Sequence, residues 1–187
     1  MCDLKKASKV INDGGIIAYP TEAVYGFGCD PFNETAVLRL LKIKRRAQEK
    51  GLILVAANWK QIKPLINFKK FGIRKKEILK NINATWPGPV TWLFPATKKA
   101  PDWITGGNGL VAIRISAHPT VKCLCEKHGG PIVSTSANIC GIPPSRTAKA
   151  VREQFSESID FIMVAKIGKY KKPTIICDAV NGNIIRG

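Results

Sequence analysis

Several groups in this chain have the types and spacing needed to bind an anion. "KIKRRAQEK" (Lys42 to Lys50) sets Lys44 and Arg46 two positions apart, with Lys50 four further on. If a helix ends there, an ammonium and a guanidinium fall close together and a third cation follows. Three cations around one loop suit a triphosphate, since Arg grips oxygens in pairs and Lys acts as a mobile point charge. In "STSAN", Ser134, Ser136 and Asn138 alternate. In an extended segment they point the same way, a wall of two hydroxyls and an amide for phosphate oxygens, a carboxylate or a ribose. Arg114 in "VAIRIS" stands on an otherwise apolar strand and needs an anion there, either an internal acid or a ligand carboxylate or phosphate. "PTEAVYG" puts Thr21 and Glu22 directly after the apolar "IIAY". Each stretch has an ordinary reading alone: a solvated basic face, a hydroxyl-rich loop, a capped turn. Their joint occurrence beside buried strands points to a ligand site, because ligand groups collect where strands of an α/β sheet end.

The elements that position these groups are legible from periodicity. Leu4, Ala7, Val10 and Ile11 follow helical spacing up to Gly14-Gly15. "NETAVLRLLKIK" predicts a helix with Asn33 as N-cap, and "GLILVAA" a buried strand. Basic amphipathic helices are expected at 58–66 and 71–83. "PGPVTWLFPA" and "GLVAIRIS" read as strands, "HPTVKCLCEKHG" as a helix with Pro119 in its first turn, and "PIV" as a strand running into "STSAN". "AKAVREQF" reads as a helix, followed by strands at "IDFIMVAKI", "PTIICDAV" and "NIIR". Strands and helices interleave without a repeat, so the expected fold is α/β, a twisted, mostly mixed open sheet flanked by helices. A length of 187 residues fits a single domain over 1–187.

Composition narrows the partners. The net charge of +17 favours a polyanionic partner or substrate. Six basic residues and one acid lie between Arg39 and Lys50, and eight basic and one acid between Lys60 and Lys80. The six Cys form no C-x-x-C pair, and His118 and His128 stand ten apart without ligand spacing, so buried thiols in a reducing cytosol are expected rather than a zinc site. "MCDLKKASKVINDGG" has no signal-peptide core and no apolar stretch is long enough to span a membrane, so the expected location is cytoplasmic, with no membrane partner. Neither a G-x-x-x-x-G-K-[ST] nor a G-x-G-x-x-G motif is present, and no Ser-His-Asp arrangement is marked. What remains is positioning and charge stabilisation at phosphates.

"AYPTEAVYGFGCDP", "LLKIKRRAQEKGLIL", "WPGPVTWLFPA", "VAIRISAHP", "PIVSTSANICGIPPSRT" and the closing "IIRG", in this order over nearly the whole chain, resemble the YrdC/TsaC family of threonylcarbamoyl-AMP synthases. The resemblance implies a YrdC-like sheet with a large basic cavity. It also implies a nucleotidyltransferase that makes threonylcarbamoyl-AMP and pyrophosphate from L-threonine, bicarbonate and ATP, for modification of tRNA beside the anticodon. It implies Lys44 and Arg46 as the catalytic pair and, with Lys50, Ser136, Asn138 and Arg186, as ATP binders. Thr21, Arg114, Ser134 and Thr174 would bind threonine, Arg114 through its carboxylate, and Thr91 would reach the ligand. Mg2+ would arrive with ATP, without a tightly bound cofactor or dedicated metal cage. Partner proteins would transfer the threonylcarbamoyl group, and the basic surface would meet tRNA or other RNA.

The sequence departs from the family pattern at three places. Ala47 stands where many relatives carry Pro, Val55 where longer relatives carry a threonine-contacting His, and Thr174 where Ser is common. "GKYKKP" (Gly168 to Pro173) is a candidate lid. Two other function classes fit the charge: a non-catalytic RNA-binding factor in tRNA or ribosome maturation, and a plain nucleotide-binding regulator. Salt-sensitive RNA binding marks the first, and ATP binding indifferent to amino acid marks the second.

Overall fold

Strands this short and apolar gain stability only when both faces are covered, and the alternation of buried residues shows how that is done. The computed structural model describes residues 2–170 and 174–186. Its strands are β1 (Ile17–Pro20), β2 (Tyr25–Gly28), β3 (Ile53–Ala56), β4 (Val90–Pro95), β5 (Leu110–Ile115), β6 (Ile132–Ser136), β7 (Phe161–Ile162), β8 (Ile175–Asp178) and β9 (Ile184–Arg186). Its helices are α1 (Cys2–Asn12), α2 (Glu34–Lys44), α3 (Trp59–Ile62), α4 (Lys75–Thr85), α5 (Asp102–Thr105), α6 (Pro119–His128) and α7 (Ala148–Phe155). The strands form one sheet in the order β7-β1-β2-β6-β3-β5-β4-β8-β9. It is mixed: β3 runs parallel to β5 and β4 to β8, whereas β6 is antiparallel to both β2 and β3.

One face carries the larger apolar core. Leu54, Ala56, Val111, Ile113, Ile115, Trp92, Phe94 and Val133 point into it, against Val37, Leu40 and Leu41 of α2, Ile78 and Ile82 of α4, and Val151 and Phe155 of α7. An aromatic group of Trp59, Trp86, Phe68, Phe71 and Phe94 fills one end. The alternate residues face the other way, as the two-residue period of a strand requires. There Ile17, Tyr19, Val55 and Ile132 pack on Ala7 and Ile11 of α1 and on Val121, Leu124 and Cys125 of α6. Among the described residues this second cluster includes nothing from β4, β5 or β8. On β4 and β5 the same face carries Thr91, Leu93, Ala112 and Arg114, outside that helix-covered core. This half-face, without a helix core over it among the described residues, is the ground on which a site can stand.

Local chemistry sets the element ends. Asn33 caps α2, its Oδ1 accepting from the Ala36 amide at 3.0 Å, and Pro119 occupies the first turn of α6. The helix expected at 58–66 is instead the single turn α3 followed by a 3₁₀ turn over Lys63–Leu65, because Pro64 lacks the amide that would continue the ladder. The helix expected at 71–83 is shifted to Lys75–Thr85. Gly72, at φ 56°, breaks the chain between it and the preceding 3₁₀ turn. "IDFIMVAKI" pairs with the sheet only at Phe161 and Ile162 before the chain leaves as a strap across β1 and β2.

Candidate functional site

The loop after β6 is built around Lys44. This last residue of α2 is buried, and its Nζ donates to the backbone carbonyls of Ser136 and Asn138 (2.8 Å to the latter) and to Asn138 Oδ1 at 3.1 Å. An ammonium has three N–H groups, so the set is complete. Burial, reinforced by the neighbouring Arg46 charge, lowers the Lys44 pKa to about 8. The loop closes on itself: Ser136 Oγ donates to Asn138 Oδ1 at 2.6 Å, Asn138 Nδ2 to the Ile142 carbonyl at 2.5 Å, and the Cys140 amide to the Lys44 carbonyl at 3.0 Å. Lys44, Ser136 and Asn138 are thus brought together at one loop. Their immediate partners are one another, with Lys44 a post beneath the loop rather than a free cation above it.

The free edge of positive charge comes from two arginines. Arg45 adopts the left-handed conformation (φ 50°) and turns the chain out of α2. Arg46 then folds back, its guanidinium donating to the carbonyls of Gly51 (2.9 Å) and Lys50 (3.2 Å). Burial lowers its pKa, and the Arg186 guanidinium adds to that lowering. Two guanidiniums close enough to repel, on α2's exit and on the far edge strand, make a pair that an anion stabilises. Arg186 donates to the Thr174 carbonyl at 3.3 Å, and the Thr174 and Thr91 hydroxyls stand 3.5 Å apart. The Lys50 side chain is exposed, and only its carbonyl joins the cluster.

The sheet supplies the floor. Ser134 lies opposite Ile53, Ile53 opposite Ala112 and Ala112 opposite Leu93, a row crossing from β6 to β4. Gly28 permits the close approach at the next strand: a Cβ there would lie 2.7 Å from both the Tyr19 ring and the Val133 carbonyl.

Beyond the floor lies a buried charged group. The Arg114 guanidinium is in ion-pair contact with Glu22 Oε1, each side chain 5% exposed. Ser116 Oγ donates to the same Oε1 at 2.6 Å. Burial alone would raise the Glu22 pKa, but the charge and hydrogen bonds of Arg114, with Ser116, outweigh it and hold the pKa below 4.5. Nη1 is the Arg114 atom in that contact, and Glu22 Oε2 has no partner among the described residues. Of the two anions open to Arg114, the structure therefore shows the internal acid, with the second carboxylate oxygen still unmet. Thr21 closes the Pro20–Val24 turn, its hydroxyl donating to the Val24 carbonyl at 2.8 Å. For Glu22 and Ser116 the "PTE" and "RIS" motifs gave a placement but no pairing, since the partners are 94 positions apart.

The strap after β7 seals this end. The Tyr25 hydroxyl donates to the Ala165 carbonyl (2.8 Å), the Gly168 amide to the Thr21 carbonyl (2.8 Å) and the Tyr170 amide to the Glu22 carbonyl (3.1 Å). The part of the candidate lid from Lys171 to Pro173 lies outside the described residues, and Gly168 and Tyr170 are tied to the turn.

The Sua5/YciO/YrdC family model, described as telomere recombination, matches residues 9–187. The chain belongs to this family. This member is 49% identical over 183 residues to the threonylcarbamoyl-AMP synthase of Coxiella burnetii, covering 98% of this chain and 96% of the other. It is 47% identical over 180 residues to the enzyme of the same name from Escherichia coli O6:H1, covering 96% and 93%. The crystal structure of P. abyssi Sua5 complexed with L-threonine superimposes with a TM-score of 0.85 at 32% identity over 94% of this chain, which spans 50% of that longer protein. The mixed α/β sheet is the family fold, as the resemblance implied.

Among the described residues no group of three His, Cys, Asp or Glu side chains is placed to hold a metal, and no helix is long and apolar enough to cross a membrane. The loop carbonyls of Ser136 and Asn138 are taken by the Lys44 ammonium.

Proposed function

We infer that this chain is an L-threonylcarbamoyladenylate synthase, a nucleotidyltransferase that converts L-threonine, bicarbonate and ATP into threonylcarbamoyl-AMP, pyrophosphate and water. The observation that carries the reading is the pairing of two arginine sites around one uncovered sheet face: Arg114, buried against Glu22, and the Arg46–Arg186 pair beside the loop held by Lys44. The names of the full-length relatives agree with it.

In this reading the Arg114 guanidinium holds the threonine carboxylate, with Thr21, Ser134 and Thr174 around the rest of the amino acid. The triphosphate lies over Arg46 and Arg186, with the Ser136 hydroxyl as a further contact. Asn138 shapes the loop, and Lys50 adds charge at its mouth. The threonine amine attacks the carbon of CO2, losing a proton, or that of bicarbonate, whose C–O bond breaks so that hydroxide leaves with the amine proton as water; either way a carbamate forms. A carbamate oxygen then attacks the α-phosphorus, and the bond to pyrophosphate breaks. Holding the reactants together removes most of the entropic barrier, and the guanidiniums stabilise charge that moves onto the leaving pyrophosphate. An Mg2+ ion brought in with ATP would supply charge neutralisation on the phosphates. The mixed anhydride is prone to hydrolysis, and the strap over Thr21 and Glu22 keeps water from one end of the site.

The product's use in tRNA modification implies a cytoplasmic location and protein partners that transfer the threonylcarbamoyl group. Lys60, Lys63, Lys69, Lys70, Arg74, Lys75, Lys76 and Lys80 are all exposed on the surface around α3 and α4, a stripe suited to RNA phosphates. Pyrophosphate release that requires threonine and bicarbonate together tests the synthase reading; release indifferent to either one contradicts it. Replacing Lys60, Lys63, Lys69 and Lys70 by Ala tests the RNA surface, with weaker tRNA binding and unchanged pyrophosphate release expected.

A further inference from the structure

Away from the site, a groove of about 370 Å³ runs between α1 and α6, lined by Lys5, Ser8, Lys9, Asn12, Asp13 and Lys127. Helical spacing makes its wall. Ala7 and Ile11 of α1, and Val121, Leu124 and Cys125 of α6, turn inward onto the sheet. Lys5, Ser8, Lys9 and Asn12 recur at i, i+3, i+4 and i+7, along another face of α1. Asp13 is the one acid in the lining, and it lies 2.7 Å from Lys9 Nζ. Lys5 and Lys127 are exposed and form no ion pair among the described residues. His128 Nδ1 and Asn12 Oδ1, 2.5 Å apart, join the C-terminal ends of the two helices.

The lining decides the class of ligand. Among the described residues no apolar or aromatic side chain borders the groove. Sites for small organic molecules are mostly apolar, and protein interfaces are anchored on large apolar and aromatic residues. A base has no ring to stack on. What the groove offers is ammonium groups with a hydroxyl and an amide, which meet phosphate oxygens without reading a sequence. Lys5 and Lys9 stand one helical turn apart, about 5–6 Å between Cβ atoms, so successive phosphates along a strand can be met in turn.

The groove also borders the basic stripe. Gln61 of α3 donates from Nε2 to the Cys125 carbonyl of α6 at 2.8 Å, and its Oε1 accepts from the Ala57 amide at 2.8 Å. This fixes α3 against α6, with Lys60 and Lys63 exposed to either side of Gln61 in sequence. The cations of α3, α6 and α1 therefore stand on neighbouring elements.

We propose that the α1–α6 groove binds the sugar–phosphate backbone of RNA and extends the contact made by the stripe around α3 and α4. This rests on the reading of that stripe as an RNA surface. Lys5 and Lys127 hold phosphates, while Lys9 is shared with Asp13. The groove lies outside the nucleotide and amino-acid sites, so it acts on RNA affinity and not on adenylate formation.

Fluorescence anisotropy with tRNA over a range of salt tests this. Lys5→Ala combined with Lys127→Ala is expected to weaken tRNA binding about tenfold at about 0.1 M salt. The salt slope falls by about 1.5, the share of two phosphate contacts. A control pair of equal charge, Lys149→Ala with Arg152→Ala, lies on α7 over the opposite face of the sheet. It is expected to stay within about twofold of the unaltered protein. Pyrophosphate release is unchanged in both pairs. In the unaltered protein, tRNA is expected to protect Lys5 and Lys127 from acetylation but not Lys149, and ATP to protect none of them. The proposal is overturned if the groove pair binds tRNA as tightly as the control pair, or if tRNA leaves Lys5 and Lys127 unprotected. Weakening in the Lys60, Lys63, Lys69 and Lys70 variant would then leave the stripe standing alone. Protection of Lys5 and Lys127 by ATP makes the groove a nucleotide site and overturns the proposal as well. No tRNA binding by the unaltered protein at about 50 mM salt overturns the RNA-surface reading itself, and the groove with it.

Discussion

Lys44 Nζ lies 2.8 Å from the Asn138 carbonyl and 3.1 Å from the Asn138 side-chain oxygen, so the end of α2 and the loop after β6 are joined by one buried cation. The two residues are 94 positions apart in sequence. The K-x-R and S-x-N motifs are therefore parts of a single structure, one supplying the post and the other the roof. In the proposed reading it is the Arg of the first motif, and not its Lys, that meets phosphate directly.

Lys44→Met removes the post and leaves buried carbonyls without a donor. A loss of about 1–3 kcal/mol in stability is expected, together with a rise in the KM for ATP larger than that for threonine. Thermal denaturation and steady-state kinetics on the same preparation check both.

Arg46→Ala and Arg186→Ala each remove one half of a repelling pair. Each is expected to raise the KM for ATP about tenfold or more, as for loss of a charge-assisted contact. The double variant should lose less than the product of the two, because each arginine raises the cost of the other in the absence of nucleotide. Kinetics of the three variants measure the coupling.

The fold class was legible because it depends on periodicities within short windows. The spacing of Val37, Leu40 and Leu41 is enough to mark the buried side of α2, and the run "LILVA" marks β3. The lost boundaries lie where one residue overrides the pattern, Pro64 and Gly72 in the basic segment. In the site, the motifs located Lys44, Arg46, Ser136, Asn138 and Arg114 but not their partners. Whether Arg114 meets an internal acid depends on β1 and β5 delivering Glu22 and Arg114 to one place, which no local window records. The bond from Ser116 to Glu22 was hidden for the same reason.

Stability should fall on the acid side through Glu22. Its pKa is held below 4.5 in the folded chain and returns to that value on unfolding. A carboxylate of lowered pKa contributes stability that is fully present above the unfolded value and lost as pH falls through the folded one. The loss therefore begins near pH 4.5 and continues below it. Glu22→Gln is expected to cost about 3 kcal/mol near neutral pH, since it leaves Arg114 buried without its charge partner, and to flatten the acid limb. Denaturant unfolding between about pH 3 and 7 is the check.

Gly168→Ala places a Cβ 2.5 Å from the Glu22 carbonyl oxygen, nearer than real contacts allow. The strap must lift from the turn. The expected result is a higher KM for threonine and more ATP hydrolysed to AMP and pyrophosphate without retained product, as water enters. Product chromatography against pyrophosphate release measures the ratio.

The most direct test of the synthase reading is pyrophosphate release by the unaltered protein with ATP, L-threonine and bicarbonate, repeated with each omitted and with Arg114→Ala. Release that needs all three and falls at least a hundredfold in Arg114→Ala, at sub-saturating threonine, is the expected result. Release that persists without threonine or bicarbonate, or that is unchanged in the variant, contradicts it.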